Sequence, residues 1–231
     1  MKKLHFIVMM LFTSLCFAID DKELWDRFGL IDISFAHISN EIINLKNTLE
    51  NERNKKPHKL GDNYRGGIVF YVDEKGQHGL IVSKIDCSEG IQWRNGSSGN
   101  KVTNARADGL RAGESNTALI IPQQTIDNQK GQFAALLAHN FRISEDGVSP
   151  CQGVNTTQIC YGGWYLPSSY ELQLIYKNLN QNSNNLFATN AYWSSTEASV
   201  STAWTVNFYS GEVSAIVKSS NIPHVRAISK F

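Results

Sequence analysis

Four basic residues lie in one polar stretch of the chain, residues 94–113: Arg94, Lys101, Arg106 and Arg111. Asp108 is the single acidic residue of that stretch, which is otherwise rich in Gly, Ser and Asn and is typical of a loop. Arginine side chains bind sulfate and phosphate oxygens through paired hydrogen bonds. The stretch therefore indicates a binding site for an anionic ligand, although a solvated loop without any ligand would have the same composition.

A second, smaller basic group consists of Lys55, Lys56 and Lys59, with Pro57 and His58 between them. The chain as a whole is nearly neutral, with 22 Lys and Arg against 21 Asp and Glu. The overall charge therefore gives no reason to expect a nucleic acid partner, and any anionic partner would depend on the two local groups.

Sequence motifs for catalysis and for metal binding are missing. The chain contains no Gly-x-Ser-x-Gly, no His-Glu-x-x-His and no phosphate-binding glycine loop. It also lacks the Glu-Pro-Asn and Trp-Asn-Asp triplets that could supply part of the 6–8 oxygen ligands of a calcium ion. We therefore expect a binding protein rather than an enzyme, with no metal and no other cofactor.

The N-terminus has the pattern of a secretory signal peptide over residues 1–18. Lys2 and Lys3 precede an apolar run that is too short to span a bilayer, and Ala18 provides a small residue at the expected cleavage site. Lipidation of Cys16 is an alternative, but the preceding Leu15 is bulky where lipoprotein signals have a small residue. We expect an exported protein, secreted or associated with the cell surface, without a membrane span.

The cysteines that remain after cleavage agree with export to an oxidising compartment. Cys151 and Cys160 lie in one loop-like stretch, and we predict a disulfide between them. Cys87 then has no partner within the chain and is predicted to be a buried free thiol, with an intermolecular bond or a reactive site as the alternative.

Apolar residues at alternating spacings of four and three form a heptad repeat, which predicts a coiled coil. They are Leu24, Phe28, Ile31, Phe35, Ile38, Ile42, Leu45 and Leu49. Opposite charges at the flanking positions, Arg27 with Asp32 and Glu41 with Lys46, favour a parallel homo-oligomer. Dimers favour isoleucine at a and leucine at d; here isoleucine occupies two of the four d positions, and phenylalanine or isoleucine occupies three of the four a positions, which favours a trimer. A single amphipathic helix docked on a globular domain is the alternative, because Gly29 weakens the helix.

The remaining sequence predicts an α+β head domain. We divide the chain into a signal peptide (1–18), a coiled-coil stalk (19–54), a basic linker (55–59) and the head (60–231). Residues 66–72 and 79–83 have the composition of a β-hairpin, residues 116–140 are helical in character with a break at Gly131, and a helix is expected to begin after Ser168 or Ser169. Further strands are predicted at residues 191–194, 204–209, 212–218 and 224–228.

Large aromatic residues of the head are predicted to fill its core, because they bury the most apolar surface. These are Trp93, Trp164, Trp193 and Trp204. Arg226 is expected to be a structural arginine that is paired inside the domain.

Several short motifs occur in a fixed order along the head, at residues 66–72, 79–80, 92–93, 113–117, 164–168, 171–172, 192–195 and 225–227, and at Phe231. Taken together, these motifs resemble one family of exported domains, the family of the C-terminal domain of the Legionella collagen-like adhesin. The resemblance covers nearly all of residues 60–231, and the order of the WYLPS and YWSS motifs is its most specific feature.

The resemblance implies a C-type-lectin-like fold and a trimeric, secreted adhesin that binds sulfated glycosaminoglycans and supports attachment and biofilm formation. This chain has no Gly-X-Y repeats, and a heptad repeat lies where the collagen-like region would be. Two functions stay open at this point: a surface adhesin for sulfated or other anionic polysaccharides, and a structural or assembly module that binds another surface protein.

Overall fold

A computed structural model describes residues 21–53, 56–151, 157–179 and 186–231. The chain divides into two compact units at residues 55 and 56. The predicted signal peptide (1–18) lies outside the described residues, as does Lys55.

The first unit contains one continuous helix, α1, over Asp21–Arg53. The helix ends before Pro57, a residue that lacks the amide hydrogen that the interior of a helix needs. Most of the large apolar side chains of α1 that the structure describes are exposed to solvent: Ile31, Phe35, Ile38, Ile42, Ile43, Leu45 and Leu49. The helix is therefore confirmed, whereas its association with other copies remains a prediction.

The second unit is an α+β domain built on antiparallel sheets. Its elements in chain order are β1 (Asn63–Tyr64), β2 (Gly67–Val72), β3 (Gly79–Ser83), a short 3₁₀ turn (Ser97–Gly99), α2 (Ala112–Thr125), α3 (Ala134–Asn140), β4 (Ile143–Ser144), β5 (Cys160–Tyr161), α4 (Ser169–Asn178), β6 (Ala191–Glu197), β7 (Thr202–Asn207), β8 (Val213–Val217) and β9 (Ile228–Lys230). The described strands form sheets in the orders β1-β2-β3-β9, β4-β5 and β6-β7-β8.

The predicted hairpin is confirmed as β2 and β3, which pair in antiparallel register with an irregularity between Val69 and Tyr71. The predicted last strand at 224–228 was placed too early. The strand that pairs with β3 is β9, whereas His224 and Val225 form only isolated bridges. Because β9 pairs with β3, the last residues of the chain are fixed beside the first hairpin of the domain.

Helix α4 begins where its sequence predicts. The Ser168 hydroxyl accepts a hydrogen bond from the Glu171 amide, and the Glu171 carboxylate accepts one from the Ser168 amide. This reciprocal arrangement is a capping box, which is encoded by residues three positions apart.

The helical stretch predicted at 116–140 is two helices, and the first, α2, begins four residues earlier than expected. The residue that precedes α2, Arg111, makes no side-chain hydrogen bond to cap the first turn of this helix. Instead the Glu171 carboxylate accepts hydrogen bonds from the amides of Arg111 and Gly113, at 2.7 and 3.2 Å. The start of α2 is thus fixed by a residue of α4.

The core forms two clusters of buried apolar side chains. One contains Trp93, Trp164 and Trp193, as predicted, and the other includes Phe70 and Tyr192. The expectation for Trp204 was wrong, because this residue is only half-buried. Side chains alternate along a strand, and in β7 the neighbours of Trp204, Ala203 and Thr205, are the ones that point into the interior.

Candidate functional site

Residues 94–111, which we call the basic loop, are the part of the predicted basic stretch (94–113) that precedes α2. Buried amides attach this loop to the domain. The Asn95 amide donates to the side-chain oxygen of Gln124 in α2 at 2.9 Å, and the Gln124 side chain donates to the Gly99 carbonyl at 3.1 Å. The Arg94 amide donates to the carbonyl oxygen of Lys218 at 3.3 Å. The first half of the loop therefore has a fixed path along α2 and the end of β8.

A buried carboxylate, Glu197, holds the middle of the basic loop. Its Oε1 accepts hydrogen bonds from the amide and the hydroxyl of Thr103, at 2.9 and 3.1 Å, and its Oε2 accepts one from the Asn104 amide at 3.2 Å. The side chain is fully buried at the end of β6. Since an unpaired buried charge is strongly unfavourable, a cation must accompany it.

That cation is Lys218, whose side chain is also fully buried. Its Nζ donates to Glu197 Oε1 at 2.7 Å and to the carbonyls of Lys101 and Val200, and it lies 4.6 Å from the ring centroid of Trp93. Burial lowers the pKa of Lys218, and the interaction with Glu197 opposes that shift. The pair thus joins the basic loop, β6 and the segment after β8 at one point.

The end of the basic loop is held by the second buried carboxylate, Glu171. It accepts the amide of Arg111, which adopts a left-handed backbone conformation with φ of 65°. Burial raises the pKa of Glu171, while the hydrogen bonds from Ser168, Arg111 and Gly113 act in the opposite direction. Two carboxylates in the interior therefore fix the path of the loop that carries the predicted cations.

The four predicted binding residues differ in how available their charges are. Lys101 forms an ion pair with Asp127, and the Arg94 guanidinium donates to the Ser97 carbonyl at 3.4 Å. The Arg106 side chain is 60% exposed, with its Nε 3.8 Å from Glu197 Oε2. Arg94, Lys101 and Arg106 all lie around the Glu197–Lys218 pair, whereas Arg111 is fixed at Glu171. Asp127 was not counted in the sequence prediction, because it lies 26 residues from Lys101.

In the second basic group, Lys56 and Lys59 are exposed. The Lys59 amide donates to the Asp62 carboxylate at 2.8 Å, and the His58 ring packs against Tyr64 and Phe231. Residues 56–59 are thus attached to the head domain, with both lysine side chains directed to solvent.

A third polar cluster surrounds Arg226, and the sequence did not indicate which residues form it with this arginine. Its Nε lies 2.5 Å from Asp86 Oδ1, and Asp86 Oδ2 lies 2.8 Å from His224 Nδ1 and accepts from the Tyr192 hydroxyl at 3.2 Å. Arg226 also donates to the Ser83 carbonyl at 2.9 Å. The expectation of a structural arginine paired inside the domain is confirmed.

The predicted disulfide is confirmed: Cys151 and Cys160 are joined, with a Cα–Cα distance of 5.7 Å. Cys87 is free, as predicted, but the residue is partly buried rather than fully buried. Burial raises the pKa of the Cys87 thiol to about 12, so that it stays protonated at neutral pH and is a poor nucleophile.

Within the described ranges, no group of three or more His, Cys, Asp or Glu side chains could hold a metal ion. No helix in the described part of the chain is long and apolar enough to cross a membrane.

The exposed face of α1 has a shallow groove of about 190 Å³, lined by Ile31, Ser34, Phe35 and Ile38. Four residues at these spacings form the hole that accepts an a-position side chain in a parallel coiled coil. Among the predicted oligomerisation residues, Leu24 has no described side chain, and Phe28 is half-buried. Phe35, Leu45 and Leu49 are each more than 60% exposed.

Comparisons with known proteins give no relative from which a function could be transferred: no protein-family model matches the sequence, and no curated protein matches it significantly.

Proposed function

We propose that this chain is an exported, homotrimeric surface adhesin whose C-type-lectin-like head binds sulfated glycosaminoglycans or other anionic polysaccharides without catalysing a reaction. The observation that carries the proposal is the basic loop, on which Arg106 and Arg111 are presented to solvent while Glu197 and Glu171 fix its backbone from the interior. A loop fixed in this way loses little conformational entropy when a ligand binds.

Export is supported by the signal-like N-terminus and by the disulfide, which is typical of oxidising compartments. The α+β architecture with antiparallel sheets is compatible with the C-type-lectin-like fold that the sequence motifs imply.

The proposal of a parallel trimer depends on the exposed face of α1. An isolated helix with so many exposed large apolar residues would present an apolar surface of the kind that marks an interaction site. The groove beside Phe35 would accept the Phe35 side chain of a second copy in parallel register. Three copies would then carry three basic loops, and weak contacts to one polymer would act together.

The glycan part of the proposal is tested by retention on immobilised heparin. The variant with Lys101, Arg106 and Arg111 all replaced by alanine should elute at lower salt than the native protein, because fewer counterions are released on binding. Lys177→Ala is the matched control, since this lysine is exposed on α4 outside the loop and should leave retention unchanged. Equal retention of the triple variant and the native protein would show that the basic loop is solvated and does not bind heparin.

An assembly module that binds another surface protein is the second candidate, and the edge strand β8 favours it. Val213, Ala215 and Val217 are exposed on this strand, which pairs with β7 alone among the described strands. An exposed apolar edge is a surface to which another protein can add a strand. Salt-sensitive retention on heparin favours the adhesin, whereas retention that is weak and insensitive to salt favours the assembly module.

A further inference from the structure

A cleft in the head domain lies between the β2–β3 hairpin and the end of the basic loop. Its volume is about 270 Å³, and it is lined by Tyr71, Asp73, His78, Gly79, Leu80, Leu110 and Arg111. Pockets for small molecules have volumes from about 300 Å³ upward, so this cleft has room for one ring-sized group and not for several.

The lining of the cleft combines an apolar side with a polar rim. Leu80 is buried at its base, Leu110 is partly exposed, and Tyr71 adds an aromatic ring. The Asp73 carboxylate accepts the amides of Gln77 and His78, at 2.9 and 3.4 Å, so it maintains the turn that forms one wall. Carbon–hydrogen faces of a pyranose ring pack on such apolar and aromatic surfaces, while its hydroxyls can bond to the polar rim.

Arg111 is the only one of the four predicted binding residues that lines the cleft, and its backbone is strained. A φ of 65° is a left-handed conformation that glycine adopts without strain and other residues rarely adopt. Its amide is held in this conformation by Glu171. Residues held in such backbone conformations cluster at active sites and at ligand-binding positions.

The Arg111 side chain is also available to a ligand. It is exposed, and none of the ion pairs between described residues involves it, in contrast to Lys101 and Arg106. A guanidinium can bind both oxygens of a carboxylate through two parallel hydrogen bonds.

We propose that this cleft binds one carboxylate-bearing sugar ring, a uronic acid, with Arg111 pairing to the carboxylate and Tyr71 and Leu80 contacting the ring. The inference deepens the proposed function, since it specifies one sugar residue that the basic loop would recognise in an anionic polysaccharide. A single ring held by so few contacts should bind with a dissociation constant on the order of 1 mM.

The test is an NMR titration of the isotopically labelled protein with glucuronate, in which the amide signals of Gly79 and Leu110 should shift. Arg111→Gly should weaken this binding at least tenfold and leave the thermal midpoint equal or higher, because glycine relieves the left-handed backbone. A residue with a purely structural role would not combine lost binding with retained stability. Lys177→Ala is the matched control, because this exposed lysine of α4 lies outside the cleft and the basic loop, and it should leave glucuronate binding unchanged.

Three results would contradict the proposed uronic acid site: no shift of the amide signals with glucuronate, equal binding of uncharged glucose, or equal loss of glucuronate binding in the Lys177 and Arg111 variants. Retention on heparin without glucuronate binding would contradict the proposed uronic acid site but not the proposed adhesin function. Glucuronate binding that depends on Arg111, together with no retention on heparin, would support the cleft and contradict polymer binding.

Discussion

Replacing Glu197 by glutamine removes the buried carboxylate that pairs with Lys218 and should destabilise the head domain strongly. Glutamine has nearly the same shape, but only one of its two terminal atoms accepts hydrogen bonds. It cannot accept both from Thr103 and Lys218, which donate to Glu197 Oε1, and from Asn104, which donates to Oε2. Removing one partner of a buried ion pair leaves an uncompensated charge and costs about 3–5 kcal/mol. For a domain of this size that loss lowers the thermal midpoint by about 6–20 °C.

The loss should also depend on pH in a defined direction. Burial lowers the pKa of Lys218 below its ordinary value of 10.5, and Glu197 counteracts this shift. Without Glu197 the folded-state pKa falls further, whereas the unfolded value is unchanged. At pH values between the folded-state and the unfolded-state pKa of Lys218, the unfolded variant binds one proton more than the folded variant. The stability of the variant therefore rises with pH across this range. The deficit of Glu197→Gln relative to the native protein should therefore shrink as the pH is raised from 7 toward 10.

Urea unfolding of both proteins at pH 7 and pH 9.5, followed by tryptophan fluorescence, measures the two differences. Glu212→Gln is the matched control, because Glu212 is exposed in the turn before β8 and should change stability by less than 0.5 kcal/mol, roughly the limit for surface substitutions. A deficit below about 1 kcal/mol at pH 7, or a deficit that grows with pH, would refute the argument from the buried pair.

Three further outcomes are expected. Light scattering of residues 19–231 should give the mass of a trimer, and the double variant Ile38→Asp with Ile42→Asp should give a monomer with an unchanged near-UV spectrum of the head; a native monomer at micromolar concentration would contradict this. The Cys87 thiol should remain unmodified by iodoacetamide at pH 8 in the folded protein, since its pKa is raised to about 12, and rapid modification would show that the thiol is accessible and ionised. Burial raises the pKa of Glu171, so the native protein should lose stability as the pH rises from about 4.5 through the folded-state pKa, and Glu171→Gln, measured by urea unfolding, should lack this dependence.

Features encoded by neighbouring residues could be predicted from the sequence. The Ser168–Glu171 capping box lies within four residues, and it marks the start of α4 correctly. The hairpin of β2 and β3 and the continuous helix α1 likewise follow from local composition and periodicity.

Features that depend on residues far apart in the chain could not be predicted. The start of α2 was missed because its amides are capped by Glu171, about 60 residues away. Asp127 was not recognised as the partner of Lys101 for the same reason. Lys218 lies at the end of a strand where a lysine is ordinarily exposed, and no local pattern shows that it pairs with Glu197 in the interior.

The salt dependence of binding to immobilised heparin, measured for the native chain and for the double variant Ile38→Asp with Ile42→Asp, tests the proposed trimeric adhesin most directly. Both proteins carry identical heads, so they differ only in the number of basic loops joined by α1. We expect the affinity of both to fall steeply with salt, and the native chain to bind about 10²–10⁴ times more tightly than the variant. Equal affinity of the two proteins, or binding that does not change with salt, would contradict a trimeric adhesin for anionic polysaccharides.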